Sequence, residues 1–356
     1  MNSIRIAGRP VGQGHPAYIV AEMSANHLGD FRRAEAIVRA AKTAGADAIK
    51  LQTYTPDTMT LDSDKPWFRI EGTLWHGRRL HELYAEAQTP WEWHAPLQQI
   101  ARDIGIDLFS APFDADAVAF LQKLDVPVLK IASFECVDIP LLRRAAQTGK
   151  PLMLSTGMAS LPEIEEAVGA IREAGGRELA LLKCVSAYPA PATEMNLRTI
   201  PHLANAFGTP VGLSDHTLGI AVAVAAVTLG ASIVEKHLTL SRADGGPDGA
   251  FSLEPEEFRQ MVEAIRTAEE SLGEVRYSSG EAEEKSRAFR RSLFVVEAVR
   301  AGASFNEKNV RSIRPADGLH PRHLTDILGR RARVDIERGT PLSWDLVEQT
   351  PGPDAD

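Results

Sequence analysis

PVGLSDH at 210–216 and SIVEKH at 232–237 decide the fold of this chain. Each is a short apolar run that ends in ionisable side chains, and a helical pattern follows each. Working outward, the same design recurs in AYIVAE (17–22), DAIKLQ (47–52), DLFSAP (107–112), VLKIAS (128–133), PLMLST (151–156) and LALLKC (179–184). Continuous β-branched and Leu-rich runs belong to parallel strands buried on both faces, whereas half-exposed sheets alternate apolar and polar residues. Strand then helix, repeated eight times over about 250 residues, predicts a (β/α)8 TIM barrel. Active sites in that fold are built at the C-terminal ends of the strands. Here those ends carry Glu22, Lys50, Gln52, Lys130, Ser133, Ser155, Thr156, Lys183, Asp215, His216, Glu235, Lys236 and His237. A barrel without chemistry has no reason to gather charges on one rim, so an enzyme is expected.

The 356 residues suit one barrel and a smaller second domain. Two cysteines, Cys136 and Cys184, argue against a disulfide scaffold and fit a reducing cytoplasm. The opening MNSIRIAGRP has no signal-peptide core, and no run reaches the roughly 20 apolar residues of a membrane span. The net charge of −9 disfavours nucleic acid, but lysines at the mouth still allow anionic small substrates. No Walker loop, GxGxxG turn or cysteine cluster is present, so a nucleotide cofactor is not expected.

Helices read clearly between the strands. In 255–272, Phe258, Met261, Val262, Ile265 and Leu272 recur at helical spacing behind Pro255, and Ser160 with Glu163 forms a capping box. Gly45, Gly105 and Gly149 fit helix C-caps. From Tyr54 to Gln88 the pattern breaks, in an insertion holding Trp67, Phe68, Trp75, Arg78 and Arg79. Such a loop on the catalytic rim covers or selects substrate, although its aromatics fit a surface excursion packed on itself equally well. SRADGGPDGAF (241–251) is a second rim loop, placed where phosphate often docks in this fold. The barrel domain is expected over 1–273, a polar linker over 274–290, and a small β-rich domain over 291–350. Its strand-like pieces are SLFVVEAV (292–299), RARVDI (331–336) and PLSWDLV (341–347). So short a piece needs a larger neighbour to dock on.

His216 and His237 end neighbouring strands, so two imidazoles with open positions suit a divalent transition metal. Asp215 and Glu235 are placed to orient those rings or a bound water. A strand-end histidine alone is more often structural; the matched pair favours metal. Lys50 and Lys130 point into the same mouth, where a buried lysine pair suggests phosphate or carboxylate. Two other readings remain open: Lys130 as a Schiff-base nucleophile, and lysines that simply pair with Glu22, Glu135 or Glu235.

Taken together, IVAEMSANHLGD, AGADAIKLQTY, FSAPFD, LKIASFE, LSTGMAS, LLKCVSAYPAP, VGLSDHTLGI and IVEKHLTL resemble the sialic acid synthase family. GGPDGAFSLEPEEF, RRSLFVVEAVRAGASFNEKNV and RPADGLHPRHLTDILGR extend the resemblance over roughly residues 17–347. The AEMSANH and KIASFE forms, with the stretch SDKPWFRIEGTLWHGRRLHELYAEAQTPWEWH (63–94), are most similar to its pseudaminic acid branch. The resemblance implies condensation of phosphoenolpyruvate with a 2,4-diacetamido-2,4,6-trideoxyhexose of L-altro configuration, releasing phosphate by C–O cleavage. N-acetylneuraminate or legionaminic acid synthesis is the alternative.

The resemblance implies a role for each residue. His216 and His237 would hold the metal, Mn2+ first, with Mg2+ or Co2+ as options. Lys50, Lys130, Ser133, Ser155, Ser186 and Ser214 would clamp phosphoenolpyruvate. Glu22, Gln52, Tyr188 and Asp248 would meet the acceptor sugar or order water. Glu22, Glu135 and Glu235 are the candidate catalytic carboxylates. The C-terminal piece resembles an antifreeze-like (SAF) domain, which implies a domain-swapped homodimer in which Arg314 reaches the partner's sugar. A sugar-binding protein without catalysis is the rival of a different class.

Overall fold

The computed structural model describes residues 3–277 and 280–349, which fall into two compact units that divide between Gly273 and Glu274. The first unit opens with an antiparallel hairpin, β1 (Ser3–Ile6) and β2 (Arg9–Gly12). Eight parallel strands follow: β3 (Tyr18–Glu22), β4 (Ala48–Thr53), β5 (Asp107–Pro112), β6 (Leu129–Ile131), β7 (Leu152–Ser155), β8 (Leu179–Cys184), β9 (Val211–Asp215) and β10 (Ile233–His237). They close in sequence order, with β10 pairing β3, into the expected barrel. Every apolar run from the sequence supplies one of its staves.

Both faces of these strands are buried, but they meet different partners. Ile19, Ala21, Ile49, Leu51 and Val234 pack outward with Ile37, Leu97 and Phe258 of the helical shell. Val20, Ala48, Phe109, Met153, Leu182 and Ile233 fill the barrel interior. Gly212 lies in that interior, where an added methyl would come within 2.6 Å of Ile233 Cβ and 2.7 Å of Leu182 Cδ2. Only a residue without Cβ lets this layer close.

The hairpin, unforeseen from sequence, closes the N-terminal end. Ile4, Ile6 and Val11 join the interior cluster with Tyr18 and Val20. The amide of Arg5 donates to Glu178 ahead of β8, and Arg9 pairs with Asp47 ahead of β4. The barrel is therefore blind at its base.

The helix Pro255–Leu272 matches its prediction, with Phe258, Met261, Val262 and Ile265 buried and Leu272 exposed. The Ser160 backbone N–H and hydroxyl both meet Glu163, completing the capping box. Gly105 caps the helix His94–Ile104 at φ 71°.

In the second unit, β11 (Ser292–Val295) pairs antiparallel with β12 (Val310–Ile313). The pieces 331–336 and 341–347, expected as strands, touch their neighbours only through single bridges such as Ala332–Val347 and Phe294–Pro341. Turns interrupt both, so neither builds a ladder. The unit buries Leu293, Val299, Phe305, Ile327 and Ile336 as its own small core. Segment 274–290, expected as a linker, carries two short helical turns, Glu281–Glu284 and Lys285–Phe289.

Candidate active site

At the open end of the barrel lies a cavity of about 360 Å³. Lys50, Gln52, Lys130, Ser133, Glu135, Ser155, Tyr188, Ser214, His216, Glu235, His237 and Asp248 all line it. Eight strands at a common height bring these scattered residues to one place. The floor is a buried ionic network. Lys50 Nζ stands 2.8 Å from Glu22 Oε2 and 3.2 Å from Glu235 Oε1. Lys130 Nζ donates to the same Glu235 oxygen at 3.2 Å, as does the Ser214 hydroxyl. Gln52 Nε2 donates to Glu22 Oε1 at 3.1 Å and to Ser24 Oγ at 2.9 Å. The pairing of mouth lysines with Glu22 and Glu235 thus holds; Glu135 stays outside that network.

Charge is apportioned by position. Burial alone would raise Glu235, but Lys130 and Lys50 bring it down to about 2, so it remains an anion. Burial keeps Glu22 above the ordinary carboxylate range despite Lys50. Burial lifts Glu135 to about 7, with no cation in hydrogen-bond contact. Lys130 is lowered by burial against the pull of Glu235, and Lys50 is raised by its two carboxylates over the cost of burial.

His216 and His237 face each other with ring centres 5.3 Å apart. Two imidazoles sharing one metal at about 2.1 Å put their ring centres roughly 4.5–5.2 Å apart. His216 uses Nδ1 on the Val185 carbonyl at 3.0 Å, which leaves Nε2 for a ligand. Nδ1 of His237 is buried without a partner. Burial, His216 and the nearby lysines hold His237 well below its usual pKa, in the neutral form that binds metal. At 5.3 Å the pair stands just outside that span, close enough for both rings to serve one divalent ion once His216, which burial lowers but its Cys184 partner raises, gives up its proton. Among the described residues, no group of three or more His, Cys, Asp or Glu forms a complete cage.

Serines gather beside this floor. Ser133 Oγ accepts the Gly157 N–H at 3.2 Å, and a methyl on Gly157 would overlap Ser186 Oγ and come within 2.8 Å of Ser133 Oγ. Ser155 Oγ is buried and has no partner. Tyr188 packs tilted against His216, with ring centres 4.4 Å apart and planes at 48°, and against Phe251 at 5.2 Å. Asp248 accepts the Ala25 N–H at 3.2 Å, and burial raises it. Arg314 belongs to the second unit, exposed immediately after β12.

Several rim residues turn away from the site. Asp215, expected to orient an imidazole, instead takes the Thr217 N–H and hydroxyl and pairs with Lys236 at 2.7 Å, behind the barrel wall. Lys183 donates to the Cys184 carbonyl and Thr156 to the Leu182 carbonyl. The 241–251 loop supplies Asp248 and Pro247 to the cavity, while its Arg242 is bound by Glu257 rather than free for phosphate. Arg78 and Arg79 are likewise paired with Glu86, Asp62 and Glu82.

Cys184, which the sequence marks only as an unpaired thiol, belongs to the site. It lines the cavity 3.8 Å from His216 Nδ1; burial would raise its thiol, but His216 brings it to about 7. Its only signal in the sequence is its place at the C-terminal end of the LALLKC run. The insertion forms one wall: Tyr54, Met59, Ile70, Trp75, Leu80 and Tyr84 face the cavity. Trp75 Nε1 donates to the Pro247 carbonyl at 3.1 Å and ties that wall to the loop after β10.

A closed parallel barrel with this charged, one-ended cavity defines a (β/α)8 enzyme. Residues 37–277 match the NeuB family and residues 290–348 match the SAF domain, so the chain belongs to the NeuB family. It is 44% identical to the pseudaminic acid synthase of Helicobacter pylori over 336 residues, covering 94% of this chain and 99% of the relative. The N,N'-diacetyllegionaminic acid synthase of Legionella pneumophila is 35% identical, covering 96% of this chain and 97% of its own length. Among solved structures, the N-acetylneuraminic acid synthetase of Leptospira borgpetersenii superposes with a TM-score of 0.72 at 31% identity, covering 80% of this chain and 94% of its own. The spore coat polysaccharide biosynthesis protein SpsE of Bacillus subtilis gives 0.66 at 33%, covering 98% and 99%. No helix among the described residues is long and apolar enough to cross a membrane.

Proposed function

We propose that this enzyme is a pseudaminic acid synthase, joining phosphoenolpyruvate to 2,4-diacetamido-2,4,6-trideoxy-L-altrose with release of phosphate. The relatives at 44–45% identity over more than nine-tenths of the chain carry that activity in their names. The supporting observation in the site is a set of buried polar atoms without partners in one cavity: Ser155 Oγ, Glu135 Oε2, Glu235 Oε2 and His237 Nδ1. Each such atom costs about 1–3 kcal/mol until a ligand satisfies it. Clustered at one end of one cavity, they describe a receptor for a small, strongly polar molecule.

In this reading, Lys50 and Lys130 with Ser133, Ser155, Ser186 and Ser214 hold the phosphate and carboxylate of phosphoenolpyruvate. Glu235, fixed as an anion between both lysines, keeps them in place rather than moving a proton. The enol C3 attacks the aldehyde carbon of the open-chain sugar. The aldehyde oxygen gains a proton, C2 is captured by water, and the tetrahedral adduct expels phosphate by C–O cleavage. Glu135, near neutrality, is suited to give or take the proton that these steps require, and Glu22 is the second proton-handling carboxylate. Gln52, Tyr188 and Asp248 hold the acceptor. A divalent metal, Mn2+ foremost, on His216 and His237 would supply Lewis-acid polarisation of the aldehyde.

The homodimer belongs to the same proposal: Arg314 of one protomer enters the partner's acceptor site. Mixing Arg314→Ala protein with Lys130→Ala protein should restore activity beyond either alone if sites are shared across subunits.

The central test is phosphate release from phosphoenolpyruvate with the altrose-configured acceptor, N-acetylmannosamine and the legionaminic precursor in parallel. Turnover only with one of the other two would replace the proposed branch. Equilibrium dialysis with Mn2+ should show one ion per chain, lost in His237→Ala; undiminished binding there would refute the metal assignment.

A further inference from the structure

Helix Leu80–Ala87 lies within the insertion, outside the barrel's repeating pattern. Leu80, Leu83, Tyr84 and Ala87, at positions i, i+3, i+4 and i+7, all face the cavity. That spacing is the apolar stripe by which a surface helix normally meets a protein core. Here the stripe is turned onto a ligand space. Ile70 and Met59 extend the surface on the insertion side, and Phe113, in edge-to-face contact with Tyr54 at 5.3 Å, extends it on the barrel side. The cavity is thus divided, with ammonium groups, imidazoles and serines at the floor and mostly aliphatic and aromatic carbon along the insertion, where Thr73 and the hydroxyls of Tyr54 and Tyr84 are the polar exceptions.

A hexose with its full set of hydroxyls fits the aliphatic stretch of Met59, Ile70, Leu80, Leu83 and Ala87 poorly, because a hydroxyl pressed against it loses water without gaining a partner. We propose that this insertion wall is the specificity determinant for a deoxy acceptor: it receives the C6 methyl, where an ordinary hexose presents a hydroxymethyl. The inference rests on the proposed condensation and adds to it which part of the protein chooses the sugar.

An apolar pocket discriminates against an added hydroxyl by about 10²-fold in kcat/KM, and less where water reaches the wall. The test compares the 2,4-diacetamido-2,4,6-trideoxy acceptor with its 6-hydroxy counterpart. The expected preference is roughly 10- to 100-fold in kcat/KM for the deoxy sugar. Leu80→Gln should cut that ratio at least about fivefold by raising KM for the deoxy sugar, with the KM for phosphoenolpyruvate within about twofold of the parent. Ile70→Gln, on a separate segment of the same wall, must move the ratio in the same direction even if Leu80→Gln folds poorly. Turnover without preference between the two sugars, or an unchanged ratio in both variants, overturns the inference and leaves the proposed reaction standing. Absence of phosphate release with every acceptor overturns the reaction and this inference with it.

Discussion

Replacing Lys236 with methionine isolates the ion pair behind the two histidines. Both side chains of the Lys236–Asp215 pair are fully removed from solvent, and Nζ also donates to the Thr217 carbonyl. Methionine keeps the length and apolar stem of lysine but leaves Asp215 as a buried carboxylate supported only by the Thr217 amide and hydroxyl. Breaking a buried pair from one side costs about 3–5 kcal/mol. For a unit of this size, each kcal/mol lowers Tm by about 2–4 °C, so a fall of roughly 6–20 °C is expected. Tryptophan fluorescence reports the barrel, because Trp67, Trp75, Trp91 and Trp93 belong to it and only Trp344 to the second unit. Adding Asp215→Leu should recover at least about 1 kcal/mol, because the stranded charge is gone. A loss below about 1 kcal/mol in Lys236→Met, or strictly additive costs in the double variant, would refute the reasoning. Mn2+ affinity should weaken in Lys236→Met as well, since Asp215 and Lys236 directly adjoin His216 and His237 in the chain.

Glu135 gives a pH signature. Its folded pKa of about 7 lies above the usual 4.5, so the folded protein binds the proton more tightly than the unfolded chain. Its penalty is absent below the unfolded value, grows between pH 4.5 and 7, and reaches at most about 3 kcal/mol. Glu135→Gln should remove that decline in urea midpoints and exceed the parent in stability at pH 8; parallel pH profiles would count against it. Gly157→Ala drives a methyl into Ser186 and Ser133, so KM for phosphoenolpyruvate should rise at least about tenfold with little change in acceptor KM.

The barrel was legible because each stave is an uninterrupted apolar run, and its mouth was legible because chemistry collects at strand ends. Which rim residues face inward was not. Period-two alternation marks a face only when one side of a strand is wet, and here both sides are dry. Ser214 and Glu235 therefore read the same as Asp215 and Lys236, although the first two enter the cavity and the others lock the wall. The hairpin at 3–12 is not legible because four-residue strands around a tight Ala7–Gly8 turn carry little pattern. The selectivity helix was hidden for another reason: its apolar stripe faces a ligand space, and sequence periodicity does not distinguish a stripe that covers core from one that covers substrate.

The stopper at the base of the barrel also gives the molecule a front and a back. Anything tethered to the hairpin, such as a resin, a fusion partner or a scaffold peptide, hangs from the closed side. An immobilised enzyme built that way presents its working opening to the medium, and its reactants need not pass the point of attachment.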